Sequence, residues 1–387
     1  MDKFEHLLQE LQDLESAQMN RRCLCLDSAQ GPTAYIAGKE VVLFCSNNYL
    51  NLANHPKIRQ TASEAIEHYG WGAASSRLIS GTMTPHCRAE QVWAAFFDKQ
   101  AALFFGSGWS ANQSILTALP GKNDIVLIDR MDHASIIDAV RTSDAQFHTY
   151  RRDHLDRLEK YLADPKYRAK YIVTESIFSM DGDTADLKAL VELKNKYNAI
   201  LIVDEAHAIG CIGKTGAGLA EELEISDQID IIVAPLGKGP ACGGAIIAGN
   251  QTVIDYLINK ARPFIFTTAP SPVLAQVSIT ALELIQNESQ RRLRLKQNAN
   301  LLRQELHSTG FNTGQSTTHI VPIILGSPKL AVSAAASLFT NGYFAAAIRP
   351  PTVPAGTERL RVSIQCDHTP SQIQGLCKAL REIANVV

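Results

Sequence analysis

The chain has 387 residues, 45% of them hydrophobic and 20% charged, an ordinary globular balance with room for a large sheet-based domain and a smaller companion. Its formal net charge of -2 supplies no basic field for nucleic acid. No apolar run approaches the roughly 20 residues that span a bilayer, so no membrane partner is expected.

The first residues, MDKFEHLLQELQDLESAQMNRR, lack the basic start and apolar core of a signal peptide, and they are too acidic for a transit peptide. A cytoplasmic location is the expectation. Phe4, Leu7, Leu8, Leu11 and Leu14 recur at helical spacing, which predicts an amphipathic helix packing on its own protein or on a second subunit. From Thr33 to Asn51 apolar and polar residues alternate around Gly38, a hairpin pattern ending in the polar group Asn47, Asn48, Tyr49. Such a group is ordinary turn chemistry or part of a site. His68 to Gly81 is rich in small residues, and residues 85–100 are helix-periodic, with Pro85 suited to a first turn.

AALFFGSGWSANQSILTAL, from Ala101, reads as a strand, a Gly106-Ser107-Gly108-Trp109 turn, and a helix capped by Ser110. Bare amides at a helix N-terminus attract phosphate, although this G-x-G-x-x-A alone is a weak motif that a dinucleotide fold would share. The strand–loop–helix logic repeats with His133 in the turn after Asp124–Asp129. It repeats again in KYIVTESIFSMDGD, where Glu175 and Ser179 follow a strand over Tyr171–Thr174. A fourth copy, NAILIVDEAHAIGCIG, closes an apolar strand with Asp204 and then His207. A carboxylate in that position costs free energy unless a cation answers it.

IDIIVAPLGKGPACGGAIIA, Ile229 to Ala248, is two apolar runs flanking a Gly-rich turn that holds one amine, Lys238. Taken alone, a Lys in a turn is a surface residue. An amine crowded by apolar neighbours is instead poorly solvated, and such a Lys reacts with aldehydes. Strands alternating with helices imply a mostly parallel sheet covered by helices, an α/β fold with its strand ends aligned along one edge. Gly108, His133, Ser179, Asp204, His207 and Lys238 would then share a cleft. Its ligand needs an aldehyde, a protonated ring nitrogen, a phosphate and a flat face, and pyridoxal 5′-phosphate (PLP) has all four.

Helical patterns over 250–262 and from Pro272 follow, and the remainder forms a smaller α+β unit. The expected division is 1–40, an N-terminal helix and segment, 41–275, a cofactor-binding domain, and 276–387, a small C-terminal domain. Arg359 and Arg361 alternate in RLRVSI and fall on one strand face, where one can grip a carboxylate bidentately. The eight cysteines form no C-x-x-C, the eleven histidines no H-x-x-x-H, so no metal site is expected.

The stretches SNNYLNLANHP, SSRLISGTMTPH, FFGSGWSANQSIL, DHASIIDA, ESIFSMDGD, VDEAHAIGCIG, LGKGPACGGAIIAG and IRPPTVPAGTERLRVSI together resemble the α-oxoamine synthases, PLP-dependent transferases of aminotransferase fold type I. The resemblance implies that Lys238 links to the cofactor and moves the substrate Cα proton, and that Asp204 pairs with the ring nitrogen. It implies that His133 stacks on the ring, with Glu175, Ser179 and His207 beside it. Gly108 and Trp109 would offer amides to the phosphate, with Thr267 and Thr268 serving that of a neighbouring subunit in a homodimer. Arg21, Asn47, Thr352 and Arg361 fall where the family binds substrate. The IRPPTVPAGT stretch resembles the biotin-pathway branch, which implies L-alanine and a pimeloyl thioester, on coenzyme A or an acyl-carrier protein, as partners. Members using glycine or serine, and a non-catalytic subunit keeping the fold, are the alternatives. Pro235 departs from the family, which usually carries a hydroxyl three residues before the lysine, as do Asn51, Ala73, Ala74 and Ala208 from its commoner small residues.

Overall fold

A computed structural model describes residues 3–17 and 19–384. The chain divides into two compact units. One comprises residues 47–179 and 183–295; the other comprises the described residues up to Ser46, Met180–Gly182, and those from Lys296 onward. This differs from the expected division at 40 and 275. The N-terminal segment does not stand apart, because its hairpin pairs with residues from the C-terminal part of the chain. The boundary moves to Leu295 because the helix Pro272–Asn287 packs against the helices Pro56–Tyr69 and Thr84–Phe96 of the larger unit.

In the larger unit a seven-stranded sheet runs in the order Ala101–Phe105, Ala245–Gly249, Ile231–Pro235, Ile200–Asp204, Lys170–Glu175, Ile125–Asp129, Gln146–Tyr150. Only Ala245–Gly249 is antiparallel to its neighbours. The α/β expectation of a mostly parallel sheet under helical cover is met. Its central strands are near-continuous Ile, Val and Leu, since both faces of the sheet are covered. Leu103, Val126, Ile128, Val173, Ile202, Val233 and Ile247 form one buried cluster with Ala111 and Ile115 of the helix Gly108–Ala118. Parallel strands bring Phe105, Asp129, Glu175, Asp204 and Pro235 to the same sheet edge, with Glu175 opposite Asp204 in register. Lys238 does not belong to a βα unit: it lies in the turn joining Ile231–Pro235 to its antiparallel partner Ala245–Gly249.

In the smaller unit Thr33–Ile36 and Lys39–Leu43 form a hairpin across Ala37-Gly38, both at positive φ (50° and 74°), the conformation a two-residue hairpin turn demands. Tyr343–Phe344 extends it, and Ile320–Ile324, Arg359–Ser363 and Ala346–Ile348 make a second three-stranded sheet. The long helix expected from Pro272 is two, Pro272–Asn287 and Gln290–Ser308. The N-terminal helix Glu5–Ser16 forms as predicted, yet none of its residues is buried and its apolar stripe is open. Among the described residues no helix is long and apolar enough to cross a membrane.

Candidate active site

The site grows from strand ends of the larger unit. Ser107, not Ser110, is the cap of the helix Gly108–Ala118: its Oγ accepts the Ser110 amide at 3.1 Å while the Ser110 hydroxyl accepts the Ser107 amide at 3.2 Å. The two serines satisfy each other because the sequence places hydroxyls three residues apart, a capping box. The Gly108 and Trp109 amides then occupy first-turn positions with no intrahelical carbonyl to bond. Gly108 is required there, since a Cβ would lie 2.7 Å from Pro235 Cγ. Pro235 therefore abuts the helix N-terminus. A cavity of about 240 Å³ is lined by Gly106, Ser107 and Ser110 together with Arg77, Phe264, Thr267 and Thr268. Thr267 and Thr268 thus meet the chain's own Gly106–Ser110 turn.

Asp204 is almost fully buried and rigidly held. Its Oδ2 accepts Asn112 Nδ2 at 2.9 Å and its Oδ1 accepts the Ala206 amide at 2.9 Å. The same Asn112 amide donates to Ser135 Oγ at 3.0 Å, and Ser135 meets His133 Nδ1 through its hydroxyl at 2.9 Å and its amide at 3.2 Å. Since an amide can only donate, His133 Nδ1 accepts and the ring proton sits on Nε2. Crowding around the ring, with the nearby Lys238 charge, lowers the His133 pKa, although Asp204 works the other way. Asn112 was not singled out in the sequence. Its signal is an amide four residues past Gly108, on a helix turn otherwise buried through Ala111 and Ile115.

Lys238 Nζ lies 2.8 Å from His207 Nε2, and His207 Nδ1 lies 2.7 Å from Tyr49 Oη. Tyr49 donates to Asn47 Oδ1 at 3.0 Å, so Asn47 joins this cluster. Gly239 packs too tightly on the Ile209 carbonyl for any side chain, which fixes the Lys238 turn against the segment after His207. Glu175 is 1% exposed and its Oε2 has no partner. Burial, then the Asp204 charge, push its pKa up to about 8 against the opposing pull of Lys238 and the His133 amide. Glu205, also buried, is lifted to about 6 by burial, but it accepts the Leu219 and Ala220 amides and serves the fold. Ser179 follows the Glu175 strand, half-buried.

Lys238, Asp204, His207, His133, Glu175 and Asn47 are therefore brought together by hydrogen bonds or charge. Arg21, Thr352 and Arg361 belong to the smaller unit. There Arg21 and Thr352 are exposed, whereas Arg361 is buried on its strand and donates to Ser363 Oγ at 2.9 Å. Arg359, the other cation of that strand face, is committed to Asp181 at 2.5 Å and to the Met180 carbonyl.

The donor set fits PLP: a primary amine beside an imidazole, a carboxylate fixed by two donors, a buried carboxyl with one unpartnered oxygen, and a glycine-opened helix N-terminus. The chain belongs to the aminotransferase class I and II family, whose profile matches residues 39–380, and within it to the α-oxoamine synthases. An 8-amino-7-oxononanoate synthase of Geobacter sulfurreducens is 42% identical over 377 residues, 97% of this chain and 96% of that protein. A serine palmitoyltransferase from S. paucimobilis, solved with bound PLP and myriocin, is 31% identical with a TM-score of 0.93, covering 99% of this chain and 98% of that one. The 8-amino-7-oxononanoate synthase of Francisella tularensis is 28% identical with a TM-score of 0.78, covering 89% and 98%.

Proposed function

We propose that the chain is a PLP-dependent C-acyltransferase that condenses L-alanine with a pimeloyl thioester to 8-amino-7-oxononanoate, releasing carbon dioxide and the thiol carrier. The observation that carries this reading is the Lys238–His207 contact of 2.8 Å at the sheet edge where Asp204 is held by Asn112 and Ala206. Bound there, PLP supplies an aldehyde that captures amines and a protonated ring that accepts the electron pair released when a bond to the amino-acid Cα breaks. Lys238 would be the amine that holds the aldehyde, and its nitrogen would take and return the Cα proton. Asp204 holds the ring nitrogen in its charged form. His133, its proton on Nε2, would face the ring, with Ser179, His207 and Glu175 beside it. The Gly108 and Trp109 amides and the helix dipole hold the phosphate.

Arg361 is assigned the amino-acid carboxylate, Arg21 and Thr352 the acyl substrate, and Asn47 a place in the substrate site. The exposed Trp71, Leu78, Ile79 and Phe266 lie in the segments joined by the Ser76–Thr268 bridge, and this apolar surface suits a homodimer in which Thr267 and Thr268 reach the neighbour's phosphate. The protein is placed in the cytoplasm. Product analysis with alanine, glycine and serine against acetyl, pimeloyl and palmitoyl thioesters tests the assignment. Alanine with pimeloyl thioester is the expected pair; serine with palmitoyl thioester, or glycine with acetyl thioester, would replace it with another member's reaction. Sedimentation velocity tests the dimer.

A further inference from the structure

The acid meant for the ring nitrogen and the imidazole meant for the ring face come from strands that are not neighbours. Asp204 ends the strand Ile200–Asp204 and His133 follows Ile125–Asp129, with Lys170–Glu175 between them in the sheet. Direct strand pairing therefore does not fix one against the other. Asn112, buried on the covering helix Gly108–Ala118, reaches both. Its Nδ2 lies 2.9 Å from Asp204 Oδ2 and 3.0 Å from Ser135 Oγ, and Ser135 Oγ meets His133 Nδ1 at 2.9 Å. A carboxylate oxygen accepts, so Nδ2 rather than Oδ1 of the amide faces Asp204, and each acceptor takes one of the two hydrogens on that nitrogen. The Ala206 amide holds the other carboxylate oxygen at 2.9 Å, so turning Asp204 about its last bond breaks a contact at either end.

We propose that Asn112 is a positioning residue that ties Asp204 to the Ser135–His133 pair, so that one side chain sets the acid at the ring nitrogen and the imidazole at the ring face relative to each other. The inference rests on the PLP reading of the site. The helix that carries Asn112 is also the one whose Gly108 and Trp109 amides are assigned the phosphate. Four residues separate Gly108 from Asn112, about 6 Å along the helix axis. A single element, anchored in the core through Ala111 and Ile115, thus spaces the phosphate end of the site from its ring end. Taking away the amide while keeping the bulk leaves that helix packed but unlocks the acid and the imidazole from each other. The buried Asp204 oxygen then loses its donor, the costly way of breaking a buried hydrogen bond.

Asn112→Leu is close in size and removes both donors. Its effect on the PLP dissociation constant, read on the full chain from the visible absorbance of the bound cofactor, is compared in two backgrounds. Beside the native Asp204 it should weaken PLP roughly 10- to 100-fold, as for one lost hydrogen bond to a charged group. In Asp204→Ala, where the amide has no carboxylate to hold, the same replacement should cost less than about threefold. A residue that only fills space costs the same in both backgrounds, and equal losses overturn the proposal. The second arm needs no cofactor: a long-range ¹H–¹⁵N spectrum of the ¹⁵N-histidine-labelled, cofactor-free full chain, with the His133 signals assigned through His133→Gln. Losing the Asn112 donation weakens the next bond of the chain and losing the Ser135 hydroxyl removes it, so Asn112→Leu and Ser135→Ala should shift the His133 nitrogens in the same direction. His133 signals untouched by Asn112→Leu overturn the proposal as well. Should Asn112→Leu not fold, Asn112→Ala takes its place in both arms. Failure of the PLP reading looks different: the wild type then takes up no PLP, and the histidine spectrum still decides whether Asn112 makes the tie.

Discussion

Replacing Glu175 with Gln should change how stability depends on pH, by an amount the structure sets. The side chain is 1% exposed, Oε2 is unpartnered, and Asp204 stands opposite it on the next strand. Burial and that neighbour raise its pKa from 4.5 to about 8. In the folded protein the carboxyl therefore keeps a proton that the unfolded chain releases. Between about pH 4.5 and 8 the native state binds more protons, so stability falls as pH rises through that window and levels off above it. At 1.36 kcal/mol per unit, the step from pH 6 to pH 8 costs the wild type roughly 2 kcal/mol through this group. A Gln amide does not titrate, and any cost of burying its NH₂ is the same at every pH. Urea unfolding of the cofactor-free protein at pH 6, 7 and 8 provides the assay. Tryptophan fluorescence reports on the relevant unit, since Trp71, Trp93 and Trp109 all lie within residues 47–179. The stability difference between Glu175→Gln and wild type should move about 2 kcal/mol in favour of the variant from pH 6 to pH 8. Parallel profiles would mean that Glu175 is ionised throughout, and the argument from burial would be refuted.

Borohydride reduction after incubation with PLP, followed by peptide mass spectrometry, should find the cofactor on the Lys238 peptide and nowhere in Lys238→Ala. Pro235→Thr should tighten PLP binding roughly 10- to 100-fold, the value of one hydrogen bond to a charged group at about 1.5–3 kcal/mol, because position 235 abuts the Gly108 helix terminus; equal dissociation constants would remove that idea. Gly108→Ala should destabilise the fold by about 1–3 kcal/mol and weaken PLP binding, as its Cβ would press on Pro235; a variant with wild-type melting temperature and affinity would contradict the packing.

Much of the larger unit was legible because its central strands are largely apolar on both faces and three of them end in a carboxylate, Asp129, Glu175 and Asp204, that has no place in a core. Asp204 and Glu175 announced themselves by that contrast, and His133 by its place in the turn between strand and helix. The limits of elements were less legible: Ser107 and Ser110 both suit a cap, and only the closed pair of bonds between them shows that Ser107 starts the helix. The break between Asn287 and Gln290 was hidden because charged residues continue the helical period on both sides. Asn112 was missed because an amide inside a helix declares nothing about a carboxylate 92 positions later. The division into units was misjudged for the same reason, since the pairing of Tyr343–Phe344 with Lys39–Leu43 is a long-range contact that no local pattern encodes.

The two histidines show why such supporting residues matter. His133 receives the Ser135 amide on Nδ1 and so keeps its proton on Nε2, while His207 lies between Tyr49 Oη at Nδ1 and Lys238 Nζ at Nε2. A free imidazole would populate both forms, and a site built on two of them would be correctly set only part of the time. Ser135, which need not touch a substrate, removes that ambiguity for His133. A site of this kind depends as much on the residues behind its histidines as on the histidines themselves.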